Sequence, residues 1–278
     1  YNMRLAAPET LVPRYLRLGV KERIRPDGSI HLPLDNDSLD AAIEKLKEAD
    51  VTSIAVCYLH AYKESKHEKE TRARIESKLP GVSVSLSSEV FPEIKEYERV
   101  STTVVNAYVR PVVEKYLRKL GDRLRETGYQ GPVLIILSHG GVAPIDEAVR
   151  LAAGTVLSGP AGGVAGSRYG SSLIGAENLV PFDMGGTSTD ISMIVNGEPA
   201  LSSTRGIAGQ RVALQSLDIV SIASGGGSIA RVDNGGILRV GPESAGAVPG
   251  PACYGKGGVE VAVTDASVVL GFLDPNNF

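Results

Sequence analysis

Tryptophan is absent from the 278 residues, and phenylalanine, methionine and cysteine number only four, three and two. The two cysteines, Cys57 and Cys253, are too few to staple a small disulfide scaffold. With no signal-peptide pattern either, a reducing cytoplasm is the default compartment. No apolar run approaches the ~20 residues of a membrane-spanning helix, so no membrane partner is expected. Long blocks of one charge sign are missing too: the formal charge of −3 is dispersed, which points away from nucleic acid. At this length the chain can bury a substantial core, in one large domain or two medium ones. What is abundant is glycine, 32 residues gathered at turns rather than in low-complexity tracts, a pattern suited to binding loops built from backbone.

The most pointed of these clusters is Asp183-Met184-Gly185-Gly186-Thr187-Ser188-Thr189-Asp190. The apolar run Leu179 to Phe182 before it and the alternating run Ile191 to Val195 after it read as strands, so the paired glycines form a hairpin bend. Asn196-Gly197 is a strong hairpin signal and returns the chain through Glu198 to Ser202 as a third strand. Gly185 and Gly186 let an oxyanion approach backbone N–H groups; Thr187, Ser188 and Thr189 add hydroxyls; Asp183 and Asp190 place an acid at each end. That combination suits phosphate with a divalent cation, because a carboxylate at Asp183 repels phosphate unless a metal or water lies between them. No Gly-Lys-Ser/Thr follows, so this is not a Walker A loop, nor is it G-x-G-x-x-G. The residues alone leave open an ordinary glycine-rich hairpin with polar decoration.

The hairpin resembles the second phosphate motif of the actin-like ATPase superfamily, and Asp183 to Ser192 is similar to the motif of the hydantoinase A / 5-oxoprolinase family. Further stretches resemble that family in its own order: Ser87 to Arg99 (SSEVFPEIKEYER), Leu157 to Val164 (LSGPAGGV), Pro249 to Gly255 (PGPACYG) and Thr264-Asp265-Ala266. The Ser-Gly-Pro-Ala and Pro-Ala-Cys-Tyr-Gly stretches disfavour an actin-like sugar kinase. Members of the family carry another Asp-x-Gly-Gly-Thr loop upstream and an adenosine-contacting Gly-Gly segment downstream. Neither is found here, and Tyr1-Asn2-Met3 is an unusual start for an open reading frame, so an excised piece is expected.

Taken in order, residues 14 to 24 and Ile30 to Leu32 read as a hairpin about Asp27-Gly28, and Asp37 or Ser38 as the cap of a helix bearing Leu39, Ile43 and Leu46. Thr52 to Leu59 reads as a buried parallel strand, Ser65-x-x-Glu68 as a capping box opening a helix to Leu79, and Val82 to Leu86 as the next strand of a βαβ unit. His60, Glu64, His67 and Glu68 lack the spacing of a helical zinc site and read as solvated surface. Glu96 to Glu126 is the longest helix, with Val104, Val105, Tyr108, Val112, Val113, Tyr116, Leu117, Leu120 and Leu124 as its buried face and Pro111 kinking or dividing it. Val133 to Leu137 reads as a fourth, parallel strand ending at His139-Gly140-Gly141, where such sheets place ligands. The family more often has Asn at His139, which makes a hydrogen-bonding substitute the reading there.

Ser158-Gly159-Pro160 fits a helix start, serving either as an anion-binding N-terminus or as close packing at a domain junction. A lobe boundary near residue 155 divides 1–155 from 156–278. Leu217 to Ser224 reads as a strand feeding Gly225-Gly226-Gly227, which approaches either a ligand or another backbone closely. Strands flank Asn234-Gly235-Gly236; Gly241 to Gly258 is an ordered loop holding Cys253, a packing residue rather than a nucleophile; Thr264-Asp265-Ala266 caps a last helix over Ser267 to Gly271.

The resemblance implies an α/β fold of the actin-like ATPase (ribonuclease H-like) type, partial, with two lobes and ATP in the cleft between them. It further implies that Gly185, Gly186, Thr187, Ser188 and Thr189 hold phosphate oxygens, with Ser158, Gly159 and Gly225 to Gly227 as further cofactor-binding candidates. Asp183 then orients Mg2+ and acts in catalysis, while Asp190 is either a second metal ligand or a brace of the hairpin. The activity so implied is ATP-dependent opening of a cyclic amide such as a hydantoin, N-methylhydantoin or 5-oxoproline, in an oligomer with a B-type subunit. The alternatives are the alpha-type subunit of an acetone/acetophenone carboxylase and a nucleotide-binding or assembly domain without turnover of its own.

Overall fold

The computed structural model describes residues 10–207 and 209–277. The chain folds as two compact units: the first runs to Ser158 and takes back Ser202–Ser216, and the second comprises Gly159–Leu201 and the chain from Leu217 on. The sequence reading drew a single cut near residue 155 and did not foresee that Ser202–Ser216 pack with the first unit.

The first unit opens on the expected antiparallel ribbon, Arg23–Ile24 against Ile30–Leu32. Helix α1, Asn36–Glu48, is capped by Asp35, whose side chain accepts from Ser38 N at 2.8 Å, so the cap lies before the Asp37 or Ser38 expected. Strands Ser53–Val56 and Ser83–Leu86 pair in parallel, joined by helix α2, Lys66–Lys78, which confirms the βαβ reading. Leu39, Ile43, Ile54, Val56, Ile75, Leu79, Val84 and Leu86 form the core beneath them. The expected capping box at Ser65 is absent: the Ser65 side chain makes no capping bond. Glu68 instead turns inward, fully buried, and accepts from Tyr58 N (3.0 Å), Ser87 Oγ (2.6 Å) and Ser88 N (2.9 Å). His67 is buried as well and meets Glu22 at 2.9 Å, so the solvated surface expected of this pair is overturned. No group of three metal-ligating side chains exists among the described residues.

After the short helix α3, Ser87–Val90, helix α4 runs unbroken from Glu96 to Glu126 and continues through Pro111 rather than dividing. Its buried face is only in part the one its apolar residues announce: Val105 and Leu117 are buried, and Val113 and Leu120 pack against the core that holds Leu117. Tyr108, Val112 and Tyr116 are 67, 73 and 65 % exposed, whereas Arg99, Thr102, Thr103 and Asn106 are buried. The polar side chains go inside because each finds a backbone partner, which offsets much of the desolvation cost. Arg99 donates to the carbonyls of Glu93 and Tyr58; Thr102 Oγ1 accepts from Ala213 N at 2.9 Å; Asn106 accepts from Ala153 N at 2.9 Å. The Thr102 bond fastens the returning segment, whose strands Arg205–Ile207 and Gln210–Val212 form a ribbon.

Leu134–Ile136 is antiparallel to Val142–Pro144, and the turn between them includes Ser138 to Gly141. The expectation of a parallel strand therefore fails, and with it the argument that placed a ligand at its end. His139 closes that turn by accepting from Gly141 N at 2.9 Å through Nδ1. Helix α5, Ile145–Arg150, completes the unit's second core with Leu117, Leu137, Ala143, Ala148 and Val149.

The second unit is built on helix α6, Ser158–Ile174, and a three-stranded antiparallel sheet of Phe182–Met184, Thr189–Ser192 and Ile219–Ile222, with Thr189–Ser192 in the middle. Ala161 and Val164 of α6 pack on Ile194, Leu217 and Ile219. The Asn196-Gly197 turn joins Ile194–Val195 to Glu198–Pro199 as expected, with both turn residues at positive φ. Strands Ser228–Val232 and Leu238–Ser244 form a hairpin, and helix α7 spans Val263–Val269, starting before the Ser267 expected. No helix of the described residues is long and apolar enough to cross a membrane.

Candidate phosphate-binding site

The hairpin tip is a four-residue turn in which Gly185 N donates to Ser188 O at 2.9 Å. Gly185, Gly186 and Thr187 are exposed, and the N–H groups of Gly186, Thr187 and Ser188 have no acceptor among the described residues. Successive amides free at one turn, with the Thr187 and Ser188 hydroxyls beside them, are the donors an anion needs.

Behind the tip, Asp183 and Asp190 stand directly opposite each other in the ladder. Like charges in that position repel, and a cation between them removes the repulsion. Asp190 is braced by the Ser221 hydroxyl, which donates to its Oδ1. Asp183 lies against α6: its Oδ2 is 3.3 Å from where a Cβ on Gly163 would stand, so glycine at that position leaves room for the carboxylate. Two carboxylates, with no third acid or histidine grouped with them among the described residues, suit a hard cation that draws its remaining ligands from phosphate and water, as Mg2+ does.

The other candidates divide. Thr189 is fully buried and its hydroxyl donates to the Ser224 carbonyl, so it fixes the hairpin to the neighbouring strand's end instead of facing a phosphate. Gly225, Gly226 and Gly227 approach another backbone, the second of the two options left open. Gly226 N donates to Gly185 O at 2.9 Å and Gly227 N to Gly186 O at 2.6 Å. A Cβ on Gly225 would stand 2.7 Å from Gly185 O, Ser188 N and Thr187 C, closer than real side chains come. The triple glycine is therefore the bed of the hairpin tip. Ser158 and Gly159 form the first turn of α6, and it is Gly163, about one turn further on, that meets Asp183.

Sequence reasoning passed over Gly163, Ser221 and Thr264. Thr264 read as a helix cap, but its hydroxyl and its N–H both donate to Gly226 O at 2.8 Å. The neighbouring Asp265 accepts from Ala262 N and Cys253 N, both at 2.7 Å, fastening the glycine-rich loop to the same helix turn. Burial and the Asp265 carboxylate push the Cys253 thiol up, which lowers its thiolate fraction.

Two family models cover most of the chain: "Hydantoinase/oxoprolinase" over residues 99–278 and its N-terminal region over residues 1–79. The chain belongs to the hydantoinase/oxoprolinase family. It is 40 % identical over 273 residues to the caprolactamase subunit alpha of Pseudomonas jessenii, covering 98 % of this chain and 39 % of that one. Among solved structures it superposes on nucleotide-free acetone carboxylase, described as acting by ATP-dependent acetone carboxylation, with a TM-score of 0.79 at 32 % identity, covering 97 % of this chain and 38 % of that one. The crystal structure of ATP-dependent caprolactamase from Pseudomonas jessenii gives 0.77 at 38 % identity, covering 98 % and 40 %. The α/β fold is thus the one these ATP-dependent enzymes share, and the chain spans about two fifths of their length.

Proposed function

We propose that the Asp183–Asp190 hairpin binds the phosphates of Mg-ATP for an enzyme that activates a carbonyl oxygen by phosphorylation. The observation that carries this reading is the exposed tip with unpaired N–H groups of Gly186, Thr187 and Ser188, backed by the opposed carboxylates Asp183 and Asp190. In this reading the tip amides and the Thr187 and Ser188 hydroxyls hold phosphate oxygens. Asp183 orients the metal directly or through water, and Asp190, held by Ser221, adds charge behind it. The bound nucleotide supplies a phosphoryl group that turns a poor electrophile, an amide carbonyl, into one with a good leaving group.

The substrate class is a cyclic amide, a hydantoin or a lactam such as 5-oxoproline or caprolactam: lactam, ATP and two waters give the amino acid, ADP and phosphate. The likeness to acetone carboxylase supports a second reading, in which the activated carbonyl is a ketone that is then carboxylated with bicarbonate. Both readings place the chain in an oligomer with a B-type partner, where the 278-residue chain by itself binds nucleotide weakly and does not turn it over. The test is ATPase activity of the complete protein with its partner, across hydantoins, lactams, and ketones with bicarbonate. One substrate class stimulates ATP consumption and Asp183→Ala abolishes it; normal turnover by Asp183→Ala refutes the reading.

A further inference from the structure

Between the glycine-rich loop and the hairpin tip runs a continuous line of hydrogen bonds. Asp265 holds Cys253 N; Thr264, the residue before it, sends both its hydroxyl and its N–H to Gly226 O at 2.8 Å; Gly226 N and Gly227 N then hold Gly185 O and Gly186 O. Thr264 grips the glycine bed at Gly226, as Ser228 does at Gly225, whose N–H donates to Ser228 Oγ at 2.8 Å; a Cβ on Gly226 would stand 2.8 Å from the Thr264 hydroxyl oxygen. The bed itself has no side chain with which to fix its own position.

We infer that Thr264 is a positioning residue for the phosphate hairpin, setting through Gly226 where the tip amides stand when phosphate arrives. This rests on the phosphate reading of the hairpin. The Thr264 hydroxyl makes the second of two bonds to one carbonyl. Losing it leaves the N–H bond in place, so the strand of contacts loosens without coming apart. Tip amides that wander lose affinity because the ligand must then order them.

The test uses the complete protein with its partner and compares wild type with Thr264→Val, which keeps the shape and removes the hydroxyl, and Thr264→Ser, which restores it. Mg-ATP affinity is measured by calorimetry, amide exchange over residues 183–190 by mass spectrometry, and the thermal midpoint by scanning calorimetry. The expected result is a Kd raised between about two- and tenfold in Thr264→Val, with faster exchange at the tip and recovery of both in Thr264→Ser. A lowered thermal midpoint without that confined exchange pattern marks a general destabilisation and overturns the positioning role. Wild-type affinity and exchange in Thr264→Val overturn the positioning role while leaving the phosphate reading intact. Failure of the wild-type protein to bind Mg-ATP overturns the phosphate reading and this inference with it.

Discussion

Replacing Gly163 with alanine should move stability and ligand affinity in opposite directions. Gly163 lies inside α6, a helix interrupted by several glycines, each of which costs about 0.5–1 kcal/mol relative to alanine. The new methyl therefore stabilises the helix by about that amount, a rise of about 1–4 °C in thermal midpoint. The same methyl would stand 3.3 Å from Asp183 Oδ2, tighter than ordinary contact, so the carboxylate must give by a few tenths of an ångström. A misplacement of ~1 Å near reacting groups costs on the order of 100-fold, so this smaller one costs on the order of several-fold in Mg-ATP binding. Gly166 and Gly170 in the same helix are the controls, since a Cβ on either meets nothing within 4 Å. Gly166→Ala and Gly170→Ala should gain the same stability and keep wild-type affinity. Calorimetric titration with Mg-ATP and thermal melts of the four proteins decide the matter. If Gly163→Ala binds as well as Gly166→Ala, the closeness of Asp183 to α6 has no bearing on the ligand.

Glu68→Gln leaves one of three buried donors facing an NH2 group and should cost about 1–3 kcal/mol in urea unfolding; Glu68→Ala should cost more, and a change under about 0.5 kcal/mol would refute the role given to this carboxylate. Burial and the nearby Glu68 charge push the Cys57 thiol up to about 12 and Cys253 is also raised, so native protein at pH 8 should resist a disulfide reagent, while Asp265→Asn should speed modification of Cys253. Burial pushes Asp265 up, but the N–H groups of Ala262, Cys253 and Ala252 with the Cys253 thiol outweigh it and hold the carboxyl below its ordinary value. Its contribution is thus complete above about pH 4 and lost as pH falls through the lower folded value, so the thermal midpoint should drop below about pH 4 less steeply in Asp265→Asn. Gly186→Ala, where a Cβ meets nothing within 4 Å, should leave the thermal midpoint unchanged and weaken Mg-ATP binding, whereas Gly225→Ala should lower both.

The βαβ unit and the hairpins were legible because periodicity, turn pairs such as Asn196-Gly197 and the parallel-type run at Ile54 to Val56 are local signals. The face of α4 was legible only in part, through Val105 and Leu117. Tyr108, Val112 and Tyr116 recur at helical spacing and read as core, yet the buried side is set by partners far away in sequence: Ala213 for Thr102, Ala153 for Asn106 and Tyr58 for Arg99. A buried polar residue is intelligible only when its partner is known, and sequence spacing does not supply it. The same holds for Glu68, whose spacing from Ser65 imitates a capping box while its acceptors serve Tyr58, Ser87 and Ser88. At the hairpin, the motif placed the tip and its acids correctly in one turn. Which hydroxyls face outward depended on the third strand, where the Ser224 carbonyl takes the Thr189 hydroxyl and Ser221 takes Asp190.

Glycine carries two kinds of information around this site, and sequence alone merges them. At Gly225 and Gly227 packing demands it: a Cβ on either would stand under 3.0 Å from the backbone of the hairpin, whatever the loop binds. At Gly186 packing demands nothing, and its φ lies outside the left-handed region where glycine is favoured, so the fold would accept alanine there. A glycine that the fold does not need, at the exposed tip of a turn with free amides, is explained by what approaches from outside. That asymmetry makes Gly186 a sharper probe of the phosphate reading than Gly225. A binding loss at Gly225 follows from any disturbance of the bed, whereas a loss at Gly186 with unchanged stability requires a ligand close enough to meet one added methyl group.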